Sequence, residues 1–154
     1  MSINRSKYVL AMNLICLLFL MGGTIYLVAN WANIPLKIPG HYNASGEVDR
    51  WGSKWELPVT LGVGWLMYIG ITIVEHFPRI WNTGVTVTKE NKVRVYIILK
   101  NMISTTKLIM VVIFVFLTLN SASAKALPVW FLPVFLCLTL GSIIYFAVKL
   151  FRAR

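Results

Sequence analysis

The 154-residue sequence contains little charge, few acidic residues and little cysteine. Only 13% of its residues are charged, against about 25% in an ordinary soluble domain. Its two cysteines, Cys16 and Cys137, both stand inside apolar runs, so they form neither a disulfide framework nor a cysteine-based zinc site. The chain also has no His-Glu-x-x-His, Gly-x-Ser-x-Gly or glycine-rich phosphate motif, and no paired carboxylates within an apolar run. We therefore expect neither enzymatic activity nor a cofactor.

Apolar residues make up 58% of the chain, and the mean hydropathy is +0.73. Four runs approach the length of about 20 residues that a helix needs to cross a bilayer. The third is the weakest, because Lys100 and Lys107 interrupt its first half. This pattern predicts an all-α fold, an integral membrane four-helix bundle that forms a single domain over residues 1–154. The predicted helices cover residues 8–28, 57–76, 89–119 and 127–149, with an outer loop at 30–56 and an inner loop at 77–88.

Basic residues separate the apolar runs and predict the orientation of the chain, whose net charge is +10. Lys and Arg accumulate on the cytoplasmic side of membrane proteins. Both termini are therefore expected in the cytoplasm, in a multi-pass protein of the plasma membrane. The basic residues do not gather on one polar face with interleaved aromatics, so we do not expect nucleic-acid binding. The residues assigned to the cytoplasmic side are Arg5, Lys7, Arg79, Lys89, Lys92, Arg94, Lys100, Lys149, Arg152 and Arg154.

A secretory signal peptide is the alternative interpretation of the first run, because Arg5 and Lys7 precede it. The run is longer than a typical apolar signal region of about 7 to 15 residues, and no clear small-x-small cleavage motif follows it. We therefore expect the first helix to be retained.

Local signals place the helix ends. Thr88, followed by Lys89 and an acidic residue, predicts an N-cap and a third helix that begins near Lys89. Pro58 and Pro128 fall where proline is tolerated in a first helical turn. Pro133 lies deeper and is expected to kink or loosen the fourth helix.

The outer loop is the richest polar segment. Its prolines predict a stiff lead-in, and its Asn and Gly residues suit unusual backbone dihedrals, so we expect an ordered loop. One interpretation is a lid over the helix ends, in which His41 and Asp49 satisfy backbone groups. The other is an external recognition surface for a peptide or protein. A metal site at His41 and Asp49 would lack the third ligand of a usual catalytic set, so none is predicted. The candidate ligand-binding residues are His41, Asn43, Asp49, Arg50, Trp51 and Lys54.

Two segments carry a family resemblance. The first is Ile34-Pro35-x-x-Ile38-Pro39-x-His41-Tyr42-Asn43-x-x-Gly46-x-x-Asp49-x-Trp51-Gly52-Ser53-Lys54, and the second comprises Phe77-Pro78-Arg79-Ile80-Trp81-Asn82 and Val87-Thr88-Lys89-Glu90-Asn91. The pattern, over about residues 31–96, resembles the domain of unknown function at the N-terminal end of Sdp-type toxin immunity proteins of Gram-positive bacteria, and their small stand-alone relatives.

The resemblance implies four membrane helices with the motif-bearing loop outside. It also implies protection from a secreted antimicrobial peptide, in some relatives together with sequestration of a transcriptional repressor at the membrane. The four predicted helices are fewer than those of the longer immunity proteins.

Two charges lie at membrane depth. Glu75 closes the second run, and Lys107 lies within the third. An ionisable group at such a depth costs a few kcal/mol unless it snorkels or pairs. Lys107 is thus expected either to snorkel to the headgroups or to form an intramembrane ion pair with Glu75, with Ser104 and Thr105 alongside.

Three functions follow as hypotheses. The leading one is antimicrobial-peptide immunity or peptide sensing through the outer loop, without catalysis. A second is a small transporter or ion-pathway subunit, acting as a homo-oligomer and lined by Glu75 and Lys107. A third is a structural partner in a larger membrane complex. The expected partners are the lipid bilayer, an extracellular peptide, and a cytoplasmic repressor or membrane partner.

Overall fold

The computed structural model describes residues 6–154. Four long helices form a bundle, and a two-stranded hairpin lies at one end of it. All four helices are long and apolar enough to cross a membrane. The chain is thus a helical multi-pass membrane protein, as the apolar runs predict. Arg5 lies outside the described residues. The elements are α1 (Lys7–Asn30), β1 (Lys37–Tyr42), β2 (Val48–Ser53), α2 (Glu56–His76), α3 (Lys92–Ala122) and α4 (Phe131–Arg152), with 3-10 turns at Trp31–Asn33 and Pro78–Ile80.

The third helix, α3, is the centre of the bundle, because α1, α2 and α4 all pack against it. Two glycines bring the neighbours close. A Cβ on Gly23 would lie 3.2 Å from Val115, and one on Gly64 would lie 3.1 Å from Phe114. Small residues are common where membrane helices approach closely. The buried core beside them consists of Cys16, Leu20, Leu27, Leu57, Leu61, Val111 and Val115, among others.

The fourth helix, α4, lies at the edge of the bundle and packs chiefly on α3. Only Phe146 and Leu150 of α4 are buried. At the hairpin end, the rings of Phe116 and Phe131 stack with their centroids 4.7 Å apart. Most of the α4 surface is apolar and exposed, which is the surface expected of a helix that faces lipid.

Two helices begin later than the sequence predicts. The third begins at Lys92 instead of Lys89. The Thr88 and Asn91 side chains each bond to the other's backbone N–H, at 3.3 and 2.8 Å, in the turn that precedes it. The fourth begins at Phe131 instead of residue 127. Pro133 therefore stands in the first turn, where its missing N–H removes no intrahelical bond.

The hairpin is absent from the all-α prediction, which treated residues 30–56 as an ordered loop. Strands β1 and β2 pair antiparallel, with Lys37 opposite Ser53 and Tyr42 opposite Val48. The turn closes through a bond from the Asn43 N–H to the Glu47 carbonyl at 2.9 Å. Pro39 is tolerated because each strand of a two-stranded sheet is an edge strand.

Candidate functional site

Tyr42 fastens the hairpin to the end of α3. Its hydroxyl lies 3.0 Å from the Ser121 Oγ and donates to the Lys125 carbonyl at 3.2 Å. It also accepts a bond from the Asn120 Nδ2 at 3.0 Å. The free end of the hairpin is therefore held against the bundle by side chains about 80 residues away in sequence.

The hairpin turn is held from within by Asn43. The Asn43 Oδ1 accepts bonds from the backbone N–H groups of Ser45 and Glu47, at 2.9 and 3.0 Å. Gly46 adopts a φ of 84°, in the region that favours glycine, and its carbonyl accepts a bond from the Leu127 N–H at 2.8 Å. That bond links the α3–α4 connection to the turn.

Two cations hold the base of the hairpin. Arg50 donates to the Gly40 carbonyl at 2.6 Å and to both carboxylate oxygens of Glu56, at 2.9 and 3.2 Å. The Glu56 carboxylate raises the pKa of the Arg50 guanidinium above its ordinary value. Lys54 donates to the Trp31 carbonyl at 3.2 Å, and its ammonium lies 4.7 Å from the centroid of the Trp31 ring.

His41, Asp49 and Trp51 are displayed on the hairpin surface. The His41 Nδ1 lies 2.7 Å from the Asp49 Oδ1, with the two side chains 65% and 43% exposed. Trp51 is 47% exposed and stands opposite Pro39 on the neighbouring strand. Among residues 6–154, no group of three or more His, Cys, Asp and Glu side chains could hold a metal ion.

The six sequence-predicted binding residues thus divide into two sets. Asn43, Arg50 and Lys54 make bonds that hold the hairpin itself. The lid interpretation expected His41 and Asp49 to bond to backbone groups, whereas these two side chains bond to each other. The other three present their side chains to the surroundings. Their ligand-binding role stays a prediction.

A cleft of about 480 Å³ lies beneath the hairpin, between the ends of α2, α3 and α4. Apolar side chains line much of it, and polar side chains stand among them. It combines an apolar interior with hydrogen-bonding groups, as small-ligand sites commonly do. The apolar lining includes Ile38, Leu57, Leu117, Leu127, Phe131 and Leu132, and the polar lining includes His41, Asn43, Glu56, Thr60 and Ser121.

A second polar cluster lies inside the bundle around Lys107, which is completely buried. Its ammonium donates to the Glu75 Oε2 at 2.7 Å, the Asn13 Oδ1 at 2.6 Å and the Thr72 Oγ1 at 3.0 Å. These partners use the three donors of an ammonium. Lys107 therefore forms the expected ion pair and does not snorkel, and its bonds join α1, α2 and α3.

The other oxygen of Glu75 is also bonded, because the Ser104 hydroxyl donates to it at 2.5 Å. Thr105 is not part of this cluster, since its hydroxyl lies 2.6 Å from the Tyr8 hydroxyl at the surface of the bundle. Sequence reasoning missed Asn13 and Thr72. An amide within the first apolar run was the available signal for Asn13.

Comparison with protein families found one match, which covers the hairpin and parts of the two helices that flank it. Residues 17–63 match the model of a family described as "Domain of unknown function (DUF1648)". The matched segment is similar to a domain of unknown function, in agreement with the resemblance to a small membrane domain. It contains most of α1, the whole hairpin and the first part of α2. No curated protein and no solved structure matches the chain.

Proposed function

We propose that this protein is a plasma-membrane recognition protein whose hairpin binds an extracellular peptide, in antimicrobial-peptide immunity or in peptide sensing, without catalysis. One observation carries the proposal: the hairpin is bonded to the bundle at its tip and at its base, while His41, Asp49 and Trp51 remain exposed on it. A surface that is already ordered loses little conformational entropy on binding. A tryptophan beside charged groups is a common anchor in protein interfaces.

The charge distribution supports an external hairpin. The hairpin end of the bundle carries Lys37, Arg50, Lys54 and Lys125 against three acids, whereas the opposite end carries most of the Lys and Arg residues. The positive-inside bias then favours the hairpin on the outside and both termini in the cytoplasm.

The cleft beneath the hairpin supports an amphipathic ligand. Its apolar wall is suited to an apolar side chain, and His41 lies at the boundary between the wall and the exposed surface. A peptide that inserts into membranes carries both apolar and charged side chains. Binding at the hairpin would hold such a peptide at the surface, before it inserts into the bilayer.

The buried cluster gives less support to a transport path. The side chains of Lys107 and Glu75 are 0% and 3% exposed, and the Lys107 ammonium already has three partners. These contacts are those of a structural link between helices. The recognition proposal therefore fits the geometry better than the transporter alternative.

The test is survival of a sensitive Gram-positive host that expresses the protein. Cells are challenged with a panel of synthetic membrane-active peptides and with any secreted peptide encoded beside the gene. We expect protection against at least one peptide, and we expect His41→Ala, Asp49→Ala and Trp51→Ala to reduce it. The matched control is Lys37→Gln, on the same hairpin, which should protect as the unaltered chain does. Equal survival with all four variants would contradict recognition by the displayed residues.

A further inference from the structure

A second cleft, of about 500 Å³, lies at the end of the bundle opposite the hairpin. It is formed by the end of α2, the 3-10 turn Pro78–Ile80 and the beginning of α3. Three potentially cationic side chains line it: His76, Arg79 and Lys92. No acidic residue lines it.

The cations of this cleft stand apart from the ion pairs of the described residues. Within residues 6–154, neither Arg79 nor Lys92 forms an ion pair with a carboxylate. Glu75 is adjacent to His76 in sequence, but its carboxylate is buried and bonded to Lys107 and Ser104. The His76 Nδ1 donates to the Thr72 carbonyl at 2.7 Å, which fixes the ring at the cleft. The site therefore presents Arg79 and Lys92 to a ligand of opposite charge.

The cleft is held in shape by Trp81. The Trp81 indole N–H donates to the Val74 carbonyl at 2.8 Å, and its ring lies 5.9 Å from the ring of Tyr96 on α3. The indole is buried with Val95 and Leu99 in a small apolar core. The turn that carries Arg79 is thus fixed to both α2 and α3, so the backbone positions of Arg79 and Lys92 are set before any ligand arrives.

We propose that this cleft binds the phosphate headgroup of an anionic phospholipid, with Arg79 and Lys92 as the phosphate ligands. Basic pockets between membrane helices are suited to such headgroups, and Arg and Lys are the usual phosphate donors. The apolar surroundings favour a lipid over a free anion. Phe77 is 56% exposed and Ile80 is 67% exposed, and both lie beside the cationic groups at the end of a membrane-spanning helix, where the glycerol and upper acyl chains of a lipid lie.

The inference is independent of the proposed function, because it concerns the other end of the bundle and requires no peptide. It also holds for either orientation, since it needs only a lipid of the adjacent leaflet.

The test is native mass spectrometry of the full-length protein, released from detergent after incubation with phosphatidylglycerol or phosphatidylcholine. We expect retention of phosphatidylglycerol and about a thirtyfold loss of it in the Arg79→Gln/Lys92→Gln variant, given the size of lysine and arginine contributions at anionic surfaces. The matched control is Arg152→Gln/Arg154→Gln, which removes the same charge from the same end of the bundle. This control should retain the lipid.

A charge-preserving variant separates loss of binding from loss of folding. Arg79→Lys/Lys92→Arg should bind phosphatidylglycerol nearly as well as the unaltered chain. Equal losses in the cleft variant and the Arg152/Arg154 control would show a diffuse charge effect and overturn the proposal. Retention of inorganic phosphate alone as strong as that of phosphatidylglycerol would also overturn it, because it would show a site for a free anion.

Discussion

The Lys107 ammonium and the Glu75 carboxylate lie 2.7 Å apart inside the bundle, and both side chains are buried. Removal of one partner from a buried ion pair leaves an uncompensated charge, which costs about 3–5 kcal/mol. Replacement of both partners by apolar residues avoids that cost. Each charge is therefore needed for stability only because the other charge is present.

We expect Lys107→Met to lower the free energy of unfolding by about 3 kcal/mol or more, and Glu75→Leu to do likewise. The double variant should be markedly more stable than the sum of the two losses predicts. Denaturant titrations in detergent micelles would measure the three values. Additive losses would contradict coupling between the two side chains.

Tyr42→Phe should loosen the hairpin without altering the helices. The substitution removes the hydroxyl that bonds to Asn120, Ser121 and the Lys125 carbonyl, at a cost of about 1 kcal/mol. Hydrogen exchange should accelerate in β1 and β2 and not in the core of α3. Tyr26→Phe is the control, because the Tyr26 hydroxyl forms no hydrogen bond with any of residues 6–154. Similar exchange in the two variants would contradict a clamp at Tyr42.

Gly46→Ala should be more destabilising than Gly84→Ala. Both glycines have a positive φ, at 84° and 63°, so both substitutions strain the backbone by about 1–2 kcal/mol. A Cβ on Gly46 would also lie 2.9 Å from the Leu127 carbonyl oxygen, whereas one on Gly84 meets open space. The free energies of unfolding of the two variants would separate the contact from the backbone strain. Equal losses would mean that the Leu127 contact relaxes freely.

Cysteine labelling should reveal the orientation. Ser45→Cys lies on the exposed hairpin turn, and Thr86→Cys lies on the exposed connection between α2 and α3. We expect a membrane-impermeant maleimide to label the first variant in intact cells, and the second only after permeabilisation. The unaltered chain is the control, since Cys16 is buried, and Cys137, although exposed on the surface of α4, lies within an apolar membrane-spanning helix that a charged maleimide does not enter. The reverse pattern would place the hairpin in the cytoplasm and contradict external recognition.

The four spans were predictable because bilayer thickness sets the length of an apolar run. The hairpin was not, since Pro39 and Gly40 are disfavoured in strands, and its stability depends on bonds from Tyr42 to residues of α3 that no local pattern indicates.

The candidate sites were predictable to different degrees. The partner of Lys107 could be inferred because a charge at membrane depth requires one, whereas the amide of Asn13 does not interrupt an apolar run. On the hairpin, the sequence identified the polar side chains. The sequence did not show that Arg50 bonds within the hairpin while Trp51 remains exposed on its surface. That difference depends on the positions of the Gly40 carbonyl and the Glu56 carboxylate.

The bonds of Tyr42 also set an order of events during biosynthesis. The tyrosine leaves the ribosome before Ser121, its partner 79 residues further along the chain, has been made. The Gly46 carbonyl likewise gains its hydrogen bond only after Leu127 has been made. The hairpin of the nascent protein is therefore fastened only after α3 and the α3–α4 connection have been made, and a chain that stalls before that point leaves the hairpin unfastened.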